Sequence, residues 1–320
     1  MGSCHLCGRR LSDVWATATD VEYGTTSERF DYLHCLPCDA LSIDPLPADR
    51  LAEIYPLTYY SFASGADVLD ADRNLVTRVK ARLDRGAFAR ALGLAGSPRA
   101  PHVLDVGGGS GDISAGLVAS SPGAQATVVD LDPRSVEVAR SRGLGGWVGR
   151  FEDFETDQRY DLVLMLNLIE HVADPAAVLR KAAELLGPSG IAWIQTPNFH
   201  SLDARLFRHR NWTGLHCPRH WVVLGQRGLR QALTESGLAP ISLERSQAGS
   251  FWATSLMALP HRHGRSSETD LPKPLVAQPA FMPLAAAGAA FDILTRRARQ
   301  TSQVVAYARR GTIQALPARG

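Results

Sequence analysis

The sequence predicts a doubly wound α/β fold, with a mostly parallel seven-stranded sheet behind a small cysteine-built N-terminal unit. Short apolar or β-branched runs alternate with helical segments from residue 102 onward. The first run ends in a glycine-rich turn, and four of the five cysteines stand in two C-x-x-C pairs. Strands that alternate with helices of this length imply a parallel sheet. Ligands of such sheets sit at the carboxyl ends of the strands.

The elements follow in order. Residues 1–54 hold the cysteine pairs and strand-like pieces such as Arg29 to Leu33. Residues 55–100 form a linker and a helical lead-in, with Leu75, Val76, Val79 and Leu83 at helical spacing and Gly93 as a stop. Residues 101–310 form the main domain, with strands at His102–Val106, Ala126–Val129, Trp147–Val148, Asp161–Leu166, Ile191–Thr196, Ile241–Glu244 and Gln303–Ala308. Helices are expected at 113–119, from Asp132-Pro133 to about 141, from Asp174-Pro175 to Gly187, and at 229–236. In each Asp-Pro pair the aspartate caps the helix and the proline takes its first position. A helical insertion is expected near 260–300, where Leu275–Leu294 is apolar but broken by Gln278, Pro279, Pro283 and Asp292. A buried or partner-facing helix fits this stretch, and so does peripheral membrane contact through 275–299 helped by Arg296, Arg297 and Arg299.

Composition narrows the function. A net charge of +2 on 320 residues gives no global field for nucleic acid. The N-terminus shows no apolar signal region, so a cytoplasmic location is expected. There, paired C-x-x-C motifs read as metal ligands and not as disulfides. Cys4, Cys7, Cys35 and Cys38 would close a tetrahedral, structural zinc site of zinc-ribbon type. Cys217 stands apart and reads as a loop or core thiol.

The most informative segment is Leu104-Asp105-Val106-Gly107-Gly108-Gly109-Ser110-Gly111-Asp112. It follows a strand and opens a helix. Gly107, Gly109 and Gly111 give G-x-G-x-G, whereas the dinucleotide pattern needs a glycine where Asp112 stands. That disfavours a nicotinamide-dependent oxidoreductase. A carboxylate at Asp105 would repel a pyrophosphate and suit a cationic, phosphate-free ligand such as S-adenosylmethionine. Asp130, ending the next strand, is placed to accept ribose hydroxyls.

These motifs, with YDLVLMLNLIEHVADP at 160–175 and LLGPSGIAWIQTPN at 185–198, resemble the class I S-adenosylmethionine-dependent methyltransferases over about residues 70–310. The resemblance implies a Rossmann-like methyltransferase fold. It implies that Asp105 and Gly107 hold the amino-acid end of the cofactor and Asp130 the ribose. Asp153 or Glu152 would meet the adenine amine, with Phe151 on the ring, and Asn167 joins the cofactor set. The N-terminal part is similar to the cysteine-rich heads of bacterial methyltransferases of sugar and glycan pathways, and WTGLHCPRH at 212–220 to their substrate loop.

The expected activity is methyl transfer to a small-molecule acceptor, a sugar, glycan or lipid precursor, at oxygen or carbon. The alternative is a non-catalytic zinc- and cofactor-binding interaction protein. Candidate catalytic groups are His171, Glu170 and His220, with His216 nearby; each histidine can instead be a structural group bonded to loop backbone. Tyr59, Tyr60, Trp212, Phe251 and Trp252 are candidate pocket walls. His261 and His263 read as solvated loop. The oligomeric state has no signature in the sequence.

Overall fold

The computed structural model describes residues 2–56, 75–260 and 275–311, with the side chains of 75–84 outside that description. Tyr59, Tyr60, His261 and His263 therefore lie outside the described residues.

The main sheet has seven strands: β6 (His102–Val106), β7 (Gln125–Asp130), β8 (Gly145–Val148), β9 (Tyr160–Leu166), β10 (Leu186–Pro197), β12 (Leu238–Ser246) and β13 (Gln303–Arg310). Their order is β12-β13-β10-β9-β6-β7-β8. The pairs β10–β9–β6–β7–β8 are parallel, and β13 runs antiparallel to both β10 and β12. This is the mostly parallel sheet that the sequence predicts.

Alternation along each strand divides the core. Leu104, Val163, Met165 and Ile194 face α5 (Pro175–Leu185) through Val178, Leu179 and Ala182. Val103, Leu162 and Leu164 face the other way, toward Phe88 and Ala91 of α2 (Leu75–Leu94). Strands β6 and β9 are covered on both faces, which explains why DLVLML is almost continuously apolar. Both Asp-Pro starts behave as the sequence implies. Asp132 accepts from the Arg134 amide at 3.2 Å to open α4 (Pro133–Ser141), and Asp174 accepts from the Ala177 amide at 2.9 Å to open α5. Helix α5 ends at Leu185, two residues before Gly187, because Leu186 already pairs with Tyr160 as the first residue of β10.

The N-terminal segment is less separate than the sequence implies. A short hairpin, β1 (Gly2–Ser3) and β2 (Arg10–Leu11), precedes a four-stranded sheet of order β11-β5-β4-β3. Three strands are N-terminal: β3 (Val14–Ala18), β4 (Phe30–Cys35) and β5 (Ala40–Asp44). The fourth, β11 (Val222–Leu224), comes from beyond β10 and pairs with β5, Val222 opposite Ser42. Trp15, Phe30, Tyr32 and Ile43 pack with Phe199, Trp212, Leu215 and Trp221 in one core.

Helix α9 (Phe281–Thr295) crosses α8 (Gly249–Ala258) closely, because a Cβ on Gly288 would lie 2.5 Å from the Trp252 Cβ. Asp292 accepts from the Trp252 indole at 3.2 Å. The other side of α9 exposes Met282, Ile293 and Leu294. Among the described residues no helix is long and apolar enough to cross a membrane.

Candidate active site

The glycine turn after β6 holds Gly107, Gly109 and Gly111 at φ of +70°, +55° and +73°, which other residues adopt only under strain. The Gly107 amide donates to the Val129 carbonyl at 2.8 Å, tying the turn to β7. The Asp130 carboxylate, at the end of β7, accepts from the Gly109 and Asp132 amides, each at 2.9 Å.

Asp105 does not face ligand space as the sequence reading expected. Its side chain is 3% exposed, accepts from the Ser114 hydroxyl at 2.6 Å, and lies under Gly108, whose Cβ would come 2.5 Å from its Cγ. Burial pushes its carboxyl up to about 6. Asp105 braces the turn from below.

A cavity of 560 Å³ opens at the carboxyl ends of β6, β7, β8 and β9. Of the expected cofactor residues, Gly107, Asp130 and Asn167 line it; Gly109, Gly111, Asp105 and Asp153 do not. Of the Asp153 or Glu152 pair expected near the adenine, Glu152 lines the wall together with Phe151, and the Asp153 amide closes a 3-10 turn on the Arg150 carbonyl. Asn167 is held at φ +57° and accepts from the Gln303 amide group at 2.6 Å. Leu131 also lines the cavity and is 56% exposed, an apolar surface suited to a flat ring. Among the described lining residues stand the carboxylates Asp130, Glu152 and Asp132, the last paired with Arg134 at 3.0 Å, and the Arg150 guanidinium. That balance fits a cationic ligand without phosphate.

Beyond β9, a 3-10 turn at Ile169–His171 brings Glu170 and His171 beside His220. His171 lines the cavity together with Tyr55 and Trp221; Glu170 and His220 lie buried behind it. His171 Nδ1 is 3.1 Å from the Arg219 carbonyl and 2.9 Å from the Tyr55 hydroxyl, and His220 Nδ1 is 2.8 Å from the Gly214 carbonyl. A carbonyl only accepts, so His220 Nδ1 carries the proton and its Nε2 the lone pair, while His171 Nδ1 stands between an accepting carbonyl and a hydroxyl that can donate or accept. Burial, with His216 adding to it, pushes His171 down to about 3. Burial and the neighbouring His171 push His220 down as well. Burial pushes Glu170 up to about 8. Both imidazoles are therefore neutral, as a base or a ligand must be.

The loop that carries His216 and His220 is fastened to the N-terminal sheet. Arg219 is fully buried, donates to Asp20 at 2.8 Å and 3.3 Å, and lies 4.6 Å from the Tyr23 ring centre. Burial raises the Asp20 carboxyl, but the guanidinium outweighs it and holds that carboxyl below the usual range. His216 Nδ1 is 2.5 Å from Glu22. Removing one partner leaves a buried, uncompensated charge, so Asp20→Ala is expected to cost roughly 3–5 kcal/mol of folding stability. Urea unfolding checks this, and a loss under about 1 kcal/mol would show that the pair is not buried in solution. Sequence reading missed Asp20, Glu22 and Arg219. The one signal was a charged residue, Arg219, inside the otherwise apolar and histidine-rich WTGLHCPRH.

Other expected wall residues lie elsewhere. Trp212 is in the shared core and donates to Asp203 at 2.8 Å, Phe251 packs on Trp212, and Trp252 packs on Phe291. They follow strand β10 in sequence but fill contacts between helices and the N-terminal sheet. Cys217 is a buried core thiol.

At the N-terminus the Sγ atoms of Cys4, Cys7, Cys35 and Cys38 lie within 4.8 Å of one another, with Cys7 and Cys35 3.9 Å apart. Thiolates around a tetrahedral zinc stand about 3.8 Å apart for Zn–S bonds of about 2.3 Å. The four thiols are free, and Gly8 at φ +70° closes the first knuckle with its amide on the Cys4 carbonyl at 2.8 Å. This donor set fits zinc.

The strand order, the single reversed strand, the glycine turn and the acid ending β7 define a Rossmann-like methyltransferase fold. The sequence profile of the family described as methyltransferase domain matches residues 75–243, and the chain belongs to that family. It is 37% identical over 162 residues to the ubiquinone biosynthesis O-methyltransferase of Bordetella avium, covering 46% of this chain and 66% of that enzyme. To the enzyme of the same name from Bordetella bronchiseptica it is 38% identical over 112 residues, covering 32% and 46%. The matches thus span about half to two thirds of these relatives. In fold it is similar to the 1,6-didemethyltoxoflavin N1-methyltransferase of Burkholderia thailandensis, solved with 1,6-didemethyltoxoflavin and S-adenosylhomocysteine, with a TM-score of 0.50, 18% identity, and coverage of 89% of this chain and 96% of that one.

Proposed function

We propose that this chain is an S-adenosylmethionine-dependent methyltransferase acting on a small hydroxyl-bearing acceptor. The observation that carries the reading is the acid-walled cavity, which sets the Gly107 turn and Asp130 in one space with a neutral histidine. When bound, the cofactor supplies a methyl group on a sulfonium. Asp130 would hold the ribose hydroxyls, Leu131 and Phe151 the adenine, Glu152 its amine, and Gly107 and Asn167 the amino-acid end. His171, as a neutral imidazole, would take the proton of the acceptor hydroxyl, with Tyr55 and Trp221 beside it.

The proposed acceptor is a sugar, glycan or lipid precursor, in line with the cysteine-bearing N-terminus. The name of the Bordetella relatives supports oxygen over carbon as the methylated atom and adds phenols to the set to be tried. We further propose structural zinc at Cys4, Cys7, Cys35 and Cys38. The proposed division is residues 1–54 as the metal-binding unit, 55–100 as lead-in and 101–310 as the catalytic unit. The exposed Met282, Ile293 and Leu294, followed by Arg296, Arg297 and Arg299, support peripheral contact with an anionic membrane surface.

A labelled-methyl screen against nucleotide sugars, glycolipids and quinone-like phenols tests the activity. Turnover on one class identifies the acceptor, and no turnover on any of them by a protein that binds S-adenosylhomocysteine favours the non-catalytic reading. With an acceptor in hand, His171→Ala is expected to lower kcat by about 10²- to 10⁴-fold. The affinity for S-adenosylhomocysteine should stay within about twofold. A kcat near that of the wild type would remove His171 from the chemistry.

A further inference from the structure

We propose that Glu170, His171 and His220 form a second metal site, for a borderline divalent cation such as zinc, on the wall of the acceptor cavity. The three side chains each offer one ligand atom, and these lie within 4.8 Å of one another. Two imidazole nitrogens and one carboxylate oxygen are a ligand set that zinc takes in open, three-ligand centres.

One buried oxygen and the imidazole that faces it point to a cation at this place. Glu170 is fully buried and its Oε2 accepts from the Thr196 hydroxyl at 3.0 Å, yet among the described residues Oε1 has no hydrogen-bond partner. A buried carboxyl oxygen left this way costs free energy, and a cation that displaced the acid's proton would meet it. His220 Nε2 stands 3.9 Å from it, too far for a hydrogen bond, and carries a lone pair of its own. Ligand atoms around a metal at about 2.0–2.1 Å stand about 3.3 Å apart, so the three side chains would draw together by up to about 1.5 Å around an ion.

The surroundings match those of ligating histidines. His171 Nδ1 is held by the Arg219 carbonyl and the Tyr55 hydroxyl, and the Nδ1–H of His220 donates to the Gly214 carbonyl. Such outer bonds fix the tautomer and ring orientation and leave the other nitrogen for the metal. The Trp221 amide donates to the Glu170 carbonyl at 2.6 Å, which ties the substrate loop to the Glu170 turn. One group opposes a cation here, the Arg219 guanidinium, but its charge is matched by Asp20.

The position suggests a use, which rests on the reading of the cavity as the acceptor site. The protein supplies three ligands and His171 faces the cavity, so the open coordination position falls to water or to an acceptor oxygen. A hydroxyl bound there would lose its proton to solvent more readily, as metal-bound water does. The His171 lone pair would then serve the metal.

Cobalt substitution of the full chain separates this site from the cysteine one. Cobalt on four thiolates absorbs strongly in the near ultraviolet through charge transfer, whereas cobalt on nitrogen and oxygen gives only weak visible bands. The stripped wild type is expected to take up a second equivalent that adds weak visible bands and no further charge transfer. Glu170→Gln and His220→Asn should each lose that equivalent, with an affinity drop of at least about 100-fold, while keeping the thiolate band. S-adenosylhomocysteine calorimetry runs in parallel. A second equivalent in a protein that does not bind S-adenosylhomocysteine would leave the metal site standing and remove its use. Saturation of the wild type with cobalt on thiolates alone, or a second equivalent retained in Glu170→Gln, would overturn the site.

Discussion

Asp130→Ala is expected to weaken S-adenosylhomocysteine binding by about 100-fold or more. The carboxylate stands at the end of β7 on the cavity wall and already accepts from the Gly109 and Asp132 amides, so its plane and position are fixed before any ligand arrives. Two ribose hydroxyls on one such carboxylate make two charge-assisted hydrogen bonds of about 1.5–3 kcal/mol each. Losing both amounts to roughly 3–6 kcal/mol, and the glycine turn loses its anchor as well. Isothermal calorimetry on folded protein reads this directly. A drop under about fivefold would mean that the ribose lies elsewhere.

Metal removal should have the second large effect. Cys38→Ser, or prolonged chelation, is expected to lower Tm by roughly 10 °C or more. Structural zinc contributes its binding energy to folding, and a loss of only about 4 kcal/mol already shifts Tm by about 8–16 °C in a domain of this size. Cys4, Cys35 and Cys38 belong to the same buried cluster as Val222, Leu224 and Leu229, so the damage spreads from the knuckles to β11. With β5 loosened, Asp20 and Glu22 lose their hold on Arg219 and His216. Methyl transfer should then fall further than S-adenosylhomocysteine binding, because the proposed cofactor wall is built on β6, β7 and β8, away from this sheet. Differential scanning calorimetry with and without chelator measures the first effect. An unchanged Tm after verified loss of metal would show the cysteines to be incidental.

The parts of the fold legible in the sequence are those governed by local rules. Continuous apolar strands, two Asp-Pro helix starts and glycines at positive φ leave marks within a few residues, and each was found where expected. The cysteine pairs are legible for the same reason, since each knuckle is local even though 27 residues lie between the pairs. What escaped depends on contacts over long separations. Strand β11 is three residues long and acquires its identity only by pairing with β5. Asp20 looks like any loop aspartate until Arg219, 199 residues later, is placed against it. Asp105 has the residue type that a cationic ligand wants, but its direction is set by Ser114 and Gly108, which no spacing rule reports. Glu170 and His171 were read from an end-of-strand position. Their convergence with His220 required the turn that brings the Arg219 and Gly214 carbonyls behind the two rings.

Calorimetric titration of the wild-type chain with S-adenosylhomocysteine, against NADH as the comparison ligand, is the decisive measurement. The acid-walled cavity predicts one site per chain for S-adenosylhomocysteine, with micromolar or tighter Kd, and no detectable heat with the dinucleotide. Heat from NADH, competed by other phosphate-bearing nucleotides and not by S-adenosylhomocysteine, would contradict it.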